Sequence, residues 1–343
     1  MKTTLLLFTV FFSSLLSAQI VNIPDPEFKY ILVNYESYFS ITIDINEDDE
    51  IQYSEAAAFT GTLQVGDPGW VFNGNIQDLT GIEAFVNITE LICLNNHLTV
   101  LDLSQNSALV KVNCAHNELI SLNVSQCTAL EELTCSYNQL TALGVSQNSV
   151  LEYLVCGDNE ITSLNVTQNT NLKILYCNTN QLSTLNLSQN MNLEEFSGFN
   201  NQLNNLDIKN GNNTNITFFS VVNNPNLICI FVDEASFSAN NAYWFKDSTA
   251  TYVETQQDCA DLSTQDFPFQ NIEIYPNPVK TSLYVEGPNS YNSMIFNIRG
   301  KQLLKTTLLN THQINLSSLK PGIYFLRLTN DRNQSITKKI IKL

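Results

Sequence analysis

The sequence predicts a mainly-β chain: a solenoid of 21-residue rungs stacked into a parallel sheet, with a small helical N-terminal cap, followed by a separate seven-stranded β-sandwich. Three observations predict this. Cys93, Cys114, Cys135, Cys156 and Cys177 recur every 21 residues. Around each of them apolar residues alternate with polar ones, the period of a strand with one face buried. From residue 271 the repeat is gone, and short alternating segments separated by Pro and Gly signals replace it. The charge breaks at the same place. Residues 19–270 hold 5 Lys+Arg against 30 Asp+Glu, and residues 271–343 hold 10 against 3, so two modules with different surfaces are expected.

Lys2, the apolar run Leu5 to Leu16 and the small pair Ser17-Ala18 form a secretory signal over residues 1–18. That run is too short to span a bilayer, and no membrane span is expected in the mature chain. Residues 19–75 read as the cap. Pro24-Asp25-Pro26-Glu27 before FKYILVNY is a helix start with acidic residues in its first turn. Six acidic residues then fall between Asp44 and Glu55. Their order, D-x-N-x-D-x-x-I-x-x-x-E, follows a twelve-residue calcium loop, with Asp49 where glycine is usual. The calcium ligands would be Asp44, Asn46, Asp48, the carbonyl of Glu50, and Glu55. The other reading is a solvated acidic turn before a helix over SEAAAF, capped by Ser54.

The repeats occupy residues 76–235. LVKVNCAHNELISLNVSQCTA, from Leu109, is followed by LEELTCSYNQLTALGVSQNSV, LEYLVCGDNEITSLNVTQNTN and LKILYCNTNQLSTLNLSQNMN. A rung from Ile88 precedes them. One from Leu193 follows, with Phe196 and Gly198 as substitutions, and then a degenerate rung carrying Phe219 and Val221. Each unit fits L-x-x-L-x-C-x-x-N-x-L, and so resembles the leucine-rich repeat over this whole region. The strand alternation supports the resemblance independently. A rung of 21 residues leaves too little chain for a long helix on the second wall, so extended or tight-turn structure is expected there.

Asn96, Asn117, Asn138, Asn159, Asn180 and Asn201 share one position, where an amide can bond backbone groups as the chain leaves the strand. The cysteine ladder admits two readings: small buried hydrophobes, or a column of metal thiolates or disulfides. Cys127 stands where other rungs have Asn106, Asn148, Asn169 and Asn190. It is expected to be a free thiol, and the first to label. Cys229 and Cys259 lie beyond the regular array, and a disulfide between them would clamp a C-terminal cap over residues 236–260.

Residues 261–270 read as a linker. Beyond it, IYPNPVKTSLYVE, IRGKQLL, INLSSLKPGIYFLRL and the terminal KKIIKL resemble the type A C-terminal sorting domain of type IX secretion substrates. The resemblance implies export across a Gram-negative outer membrane. It also implies recognition of residues 271–343 by the outer-membrane secretion machinery, and a secreted or cell-surface location.

The acidic body argues against a nucleic-acid partner. With only His97, His116 and His312, and no H-E-x-x-H, G-x-S-x-G or CxxC pattern, no enzyme is expected. The outward strand positions are aromatic and apolar instead. Tyr153, Val155, Ile174, Tyr176 and Phe199, with Tyr137 and Asp158 at the strand exits, are the candidate binding residues. The expected partner is an extracellular protein or glycan bound for adhesion. The alternative is a structural surface or matrix component held by calcium.

Overall fold

A computed structural model describes residues 19–66, 74–265, 272–286, 291–308, 313–329 and 335–343. The expected signal segment, 1–18, lies outside the described residues. The chain divides into two compact units, one through Gln256 and one from Gln257 to Leu343. The second half of the expected linker, 266–270, lies outside the described residues. A helix, Gln256–Gln265, covers its first half.

The first unit is a parallel solenoid. Among the described residues its main sheet has nine strands in rung order, from Gly61–Gln64 to Trp244–Phe245. Neighbours pair in register, so that Leu133, Leu154, Leu175, Phe196 and Phe219 form one inward column. All five are fully buried. The second wall carries strands of only three residues, such as Thr184–Asn186 and Asn205–Asp207. Short extended pieces are what 21 residues per rung allow. Both flanks contribute to the main sheet: the first strand comes from the expected N-terminal cap, and the last comes from the expected C-terminal cap.

Two asparagine columns tie rung to rung. The Asn159 amide donates to the carbonyls of Cys135 at 3.0 Å and Cys156 at 3.2 Å, and its oxygen accepts the Leu140 N–H at 3.0 Å. On the other side, Asn148 donates to the carbonyls of Val124 at 3.0 Å and Cys127 at 2.8 Å. Cys127 fills the same position with its thiol, which faces the carbonyl of Leu103 at 3.4 Å. It is free, as expected, but it is as fully buried as the ladder cysteines, so it has no labelling priority.

The five ladder cysteines are free and buried. Burial raises their thiols, to about 12 for Cys114 and Cys156. They behave as the small hydrophobes of the first reading. Where the inward leucine becomes Phe196, the following thiol becomes Gly198. A Cβ there would stand 2.7 Å from Cζ of the Phe196 ring, so the larger ring uses the room a Cys would take. The array closes on aromatic rings: Phe219 stacks on Trp244 at 4.5 Å, and Trp244 meets Tyr252 edge-on at 5.7 Å. Such an apolar plug covers the core that a solenoid end exposes. Cys229 and Cys259 are both disulfide-bonded.

At the other end the helix Pro26–Val33 starts where expected. Asp25 accepts the N–H groups of Glu27 and Phe28, both at 3.0 Å, with one oxygen. Its other oxygen accepts from Gln77 at 2.8 Å, joining the cap to the first rung. The second unit is the expected β-sandwich. Its described residues form seven strands, in a sheet of three and a sheet of four, over a core that includes Val279, Leu283, Ile295, Leu326 and Ile340.

Candidate functional site

In a rung the chain enters the main sheet at a leucine, alternates for five residues and leaves at the asparagine. The outward positions are therefore the third and fifth. The third carries Glu90, Lys111, Glu132, Tyr153, Ile174, Glu195 and Phe218 on successive strands. The fifth carries Val155, Tyr176, Ser197 and Ser220, and then Phe245. Tyr153 pairs with Ile174 and Val155 with Tyr176, so these four candidate residues form one contiguous patch. Each is half-buried beside a fully buried leucine, Leu154 or Leu175.

The remaining three candidates are placed differently. Tyr137 and Asp158 sit at the strand exit on adjacent rungs, with left-handed backbone, φ 57° and 54°. That conformation recurs at Asn95, His116, Thr179 and Asn200, and none of these is glycine. At His116, Tyr137, Asp158 and Thr179 the backbone N–H bonds the next rung, and the asparagine that follows clamps the corner. Rung-to-rung bonding thus offsets a conformation that β-branched Thr179 would otherwise avoid. The corner leaves Tyr137 52% exposed and stacked on His116, with ring centroids 4.3 Å apart. Phe199 is half-buried beyond its strand, and its carbonyl accepts the Thr179 N–H.

Sequence reasoning missed the aromatic residues further along. Phe218 and Phe245 are 6.2 Å apart, and Tyr243 is 65% exposed. The signal for Phe218 was present, because Phe219 marks its rung's inward position. That Trp244–Phe245 would add a further strand was not legible, because its rung has lost the repeat.

Polar groups frame the patch. Lys111 pairs with Glu132 at 2.7 Å, and Lys173 with Glu152 at 2.6 Å. The Tyr176 hydroxyl donates to the Glu195 carboxylate. Burial and that carboxylate push the Tyr176 phenol up to about 12, so it stays a neutral donor.

The expected calcium ligands Asp44, Asn46, Asp48, Glu50 and Glu55 are engaged by donors of the protein itself. Among the described residues no group of three or more His, Cys, Asp or Glu is placed to hold a metal ion. Backbone N–H groups bond Asp44, Asp48 and Glu55. Glu55 accepts from Ile45 and Gln52, each at 2.9 Å, and caps the helix Tyr53–Ala58 from within, with Gln52 rather than Ser54 at the cap. Asp44 accepts from Asp48 and Asp49. Asp48 accepts the Gln52 amide and the Asn46 amide, and Glu50 pairs with Lys29 at 2.6 Å. Asp49 takes the left-handed place of the expected glycine, φ 61°.

Comparison with known proteins supports both units. Residues 273–343 match the family described as the secretion system C-terminal sorting domain. An internalin C2 from Listeria monocytogenes strain 4b F2365 superposes on 69% of this chain and 98% of its own, at 21% identity and TM-score 0.50. Internalin J of Listeria monocytogenes serotype 4b is 34% identical over 74 residues, 22% of this chain and 7% of that protein. β-Agarase D of Zobellia galactanivorans is 26% identical over 94 residues, 27% of this chain and 20% of that enzyme. The chain thus spans a small part of either relative's length. The first unit has the leucine-rich-repeat fold of the internalins, and the second is a sorting domain. Together they define an exported repeat protein bound for the cell surface or the medium. No helix among the described residues is long and apolar enough to cross a membrane.

Proposed function

We propose that the solenoid is an adhesion module that binds an extracellular protein through its strand face. One observation carries this: Tyr153, Val155, Ile174 and Tyr176 lie together on the outward side of a rigid sheet, while the core beneath them is filled by inward residues such as Leu154, Cys156, Leu175 and Cys177. Large apolar side chains without a core role, on a rigid platform, are suited to anchoring a partner. The long continuous face that such a stack of rungs presents favours a protein partner over a glycan. The residues most able to act as nucleophiles, the ladder thiols, are buried and held protonated, which favours binding over catalysis. The sorting domain would be read by the outer-membrane secretion machinery, and it supplies the route to the location where such binding is useful.

The test is capture of surface and extracellular proteins on the immobilised full chain and on the variant Tyr153→Ala/Tyr176→Ala. A partner held by the wild type and lost by the variant, at unchanged melting temperature, is the expected result. Equal capture by both would remove the strand face from the function.

A further inference from the structure

The strand face is as acidic as it is aromatic. Glu90, Glu131, Glu132, Glu152, Glu194 and Glu195 stand at or just before the outward strand positions, against only Lys111 and Lys173. Both lysines are already engaged, by Glu132 and Glu152. The carboxylates of Glu131 and Glu194 are exposed and sit near Lys111 and Lys173, but among the described residues neither is within salt-bridge or hydrogen-bond distance of a side chain, since those lysines close on Glu132 and Glu152. Tyr153 and Tyr176 lie on the two strands between them, and Phe218 and Phe245 lie on the strands beyond Glu195.

Building on the partner-binding reading, we propose that this face takes a basic peptide segment, its Arg or Lys side chains lodged between the free carboxylates and the tyrosine rings. Charge complementarity selects the occupant. Among the described residues the face has a carboxylate surplus and no free cation, so an acidic or phosphorylated segment would be repelled, and a purely apolar one would strip carboxylates such as Glu194 of water without supplying a cation. A guanidinium is the group that suits both components, since it bonds a carboxylate in its plane and stacks on an aromatic face.

Length fits as well. The stretch from Glu132 to Phe218 covers four rung steps, about 19 Å at ~4.8 Å per step. An extended peptide rises ~3.3 Å per residue, so roughly six residues would lie along it, with alternate side chains pointing down. The hydroxyl of Tyr176 is directed at Glu195, which fixes one carboxylate beside one ring before any ligand arrives. Such a preset pair lowers the ordering cost of binding.

The probe is a fluorescent peptide of about eight residues alternating Arg and Ser, compared with one alternating Glu and Ser, each titrated with the full chain at low salt. The Arg peptide binds, the Glu peptide does not, and binding weakens as salt screens the carboxylates. Glu131→Gln/Glu194→Gln weakens the Arg peptide by about fivefold or more. Tyr153→Leu/Tyr176→Leu also weakens it, by loss of the rings at retained apolarity. The control Glu36→Gln/Glu47→Gln removes the same number of charges from exposed cap residues and changes binding by no more than about twofold.

Equal weakening by both glutamine variants would mean that the overall field attracts the peptide and would overturn the proposal, as would no binding at low salt. A partner captured as above that is lost on Tyr153→Ala/Tyr176→Ala but indifferent to Glu131→Gln/Glu194→Gln would also overturn it, while leaving the adhesion reading intact. Indifference to both variants would end the adhesion reading itself.

Discussion

Replacing Asn159 by alanine should destabilise the solenoid far more than the same change at Asn148, although both are buried asparagines in rung-spanning columns. The Asn159 oxygen accepts the Leu140 N–H at 3.0 Å, and its amide serves the carbonyls of Cys135, Cys156 and Gly157 at 3.0 to 3.2 Å. Truncation leaves a buried N–H with no acceptor, at ~1–3 kcal/mol, and deprives those carbonyls of a donor, for a total of about 3 kcal/mol. Asn148 also donates twice, to Val124 and Cys127, but its own oxygen is buried without a partner. Removing that oxygen offsets part of the loss, so Asn148→Ala should cost about 1 kcal/mol. Asn148→Cys should cost less still, since Cys127 already fills this position one rung away. Both tryptophans, Trp70 and Trp244, precede residue 257, so intrinsic fluorescence during urea unfolding follows this unit. Equal losses for the two alanine variants, within ~0.5 kcal/mol, would refute the assignment of the two columns.

Other expectations follow from the same packing. Leu154→Ala, beneath the patch, should cost ~2–5 kcal/mol by cavity formation, while Tyr153→Ala beside it should cost under ~1 kcal/mol, read by the same unfolding curves. Denatured, unreduced protein should show six free thiols, and native protein none that react readily at pH 8. Burial raises Cys127 to about 11, so only about one thiol in a thousand there is thiolate at pH 8, and alkylation should accelerate as pH climbs toward 11. Glu55→Ala should loosen the cap by about 2 kcal/mol, because the N–H groups of Ile45 and Gln52 lose their acceptor. With its carboxylates held by backbone, the loop from Asp44 to Glu55 should melt at the same temperature in calcium and in chelator. A clear rise with calcium would show that these side chains turn from the backbone to the ion.

The period of 21 made the solenoid, its inward leucines and its buried thiols legible, because each depends on position within a rung and every rung repeats the position. The same alternation placed Tyr153, Val155, Ile174 and Tyr176 on one face without any structure. Three things escaped. The first strand, Gly61–Gln64, and the last, Trp244–Phe245, lie outside the pattern and join the sheet by pairing with its ends, which no local signal announces. The left-handed corner at Tyr137 and Thr179 contradicts residue preference and exists because neighbouring rungs bond through it. The backbone hydrogen bonds of the acidic loop are not written in its calcium-motif letters. There Glu55 and Asp44 serve N–H groups.

The measurement that tests the central claim most directly is site-specific photo-crosslinking to a captured partner from the two walls of one rung region. A photoreactive residue in place of Ile174 lies within the strand-face patch. One in place of exposed Ser163 lies on the opposite wall, where its counterparts Ser121 and Thr184 open short strands. Binding through the strand face predicts partner adducts from position 174 and none from 163. Adducts from 163 with none from 174 would contradict it.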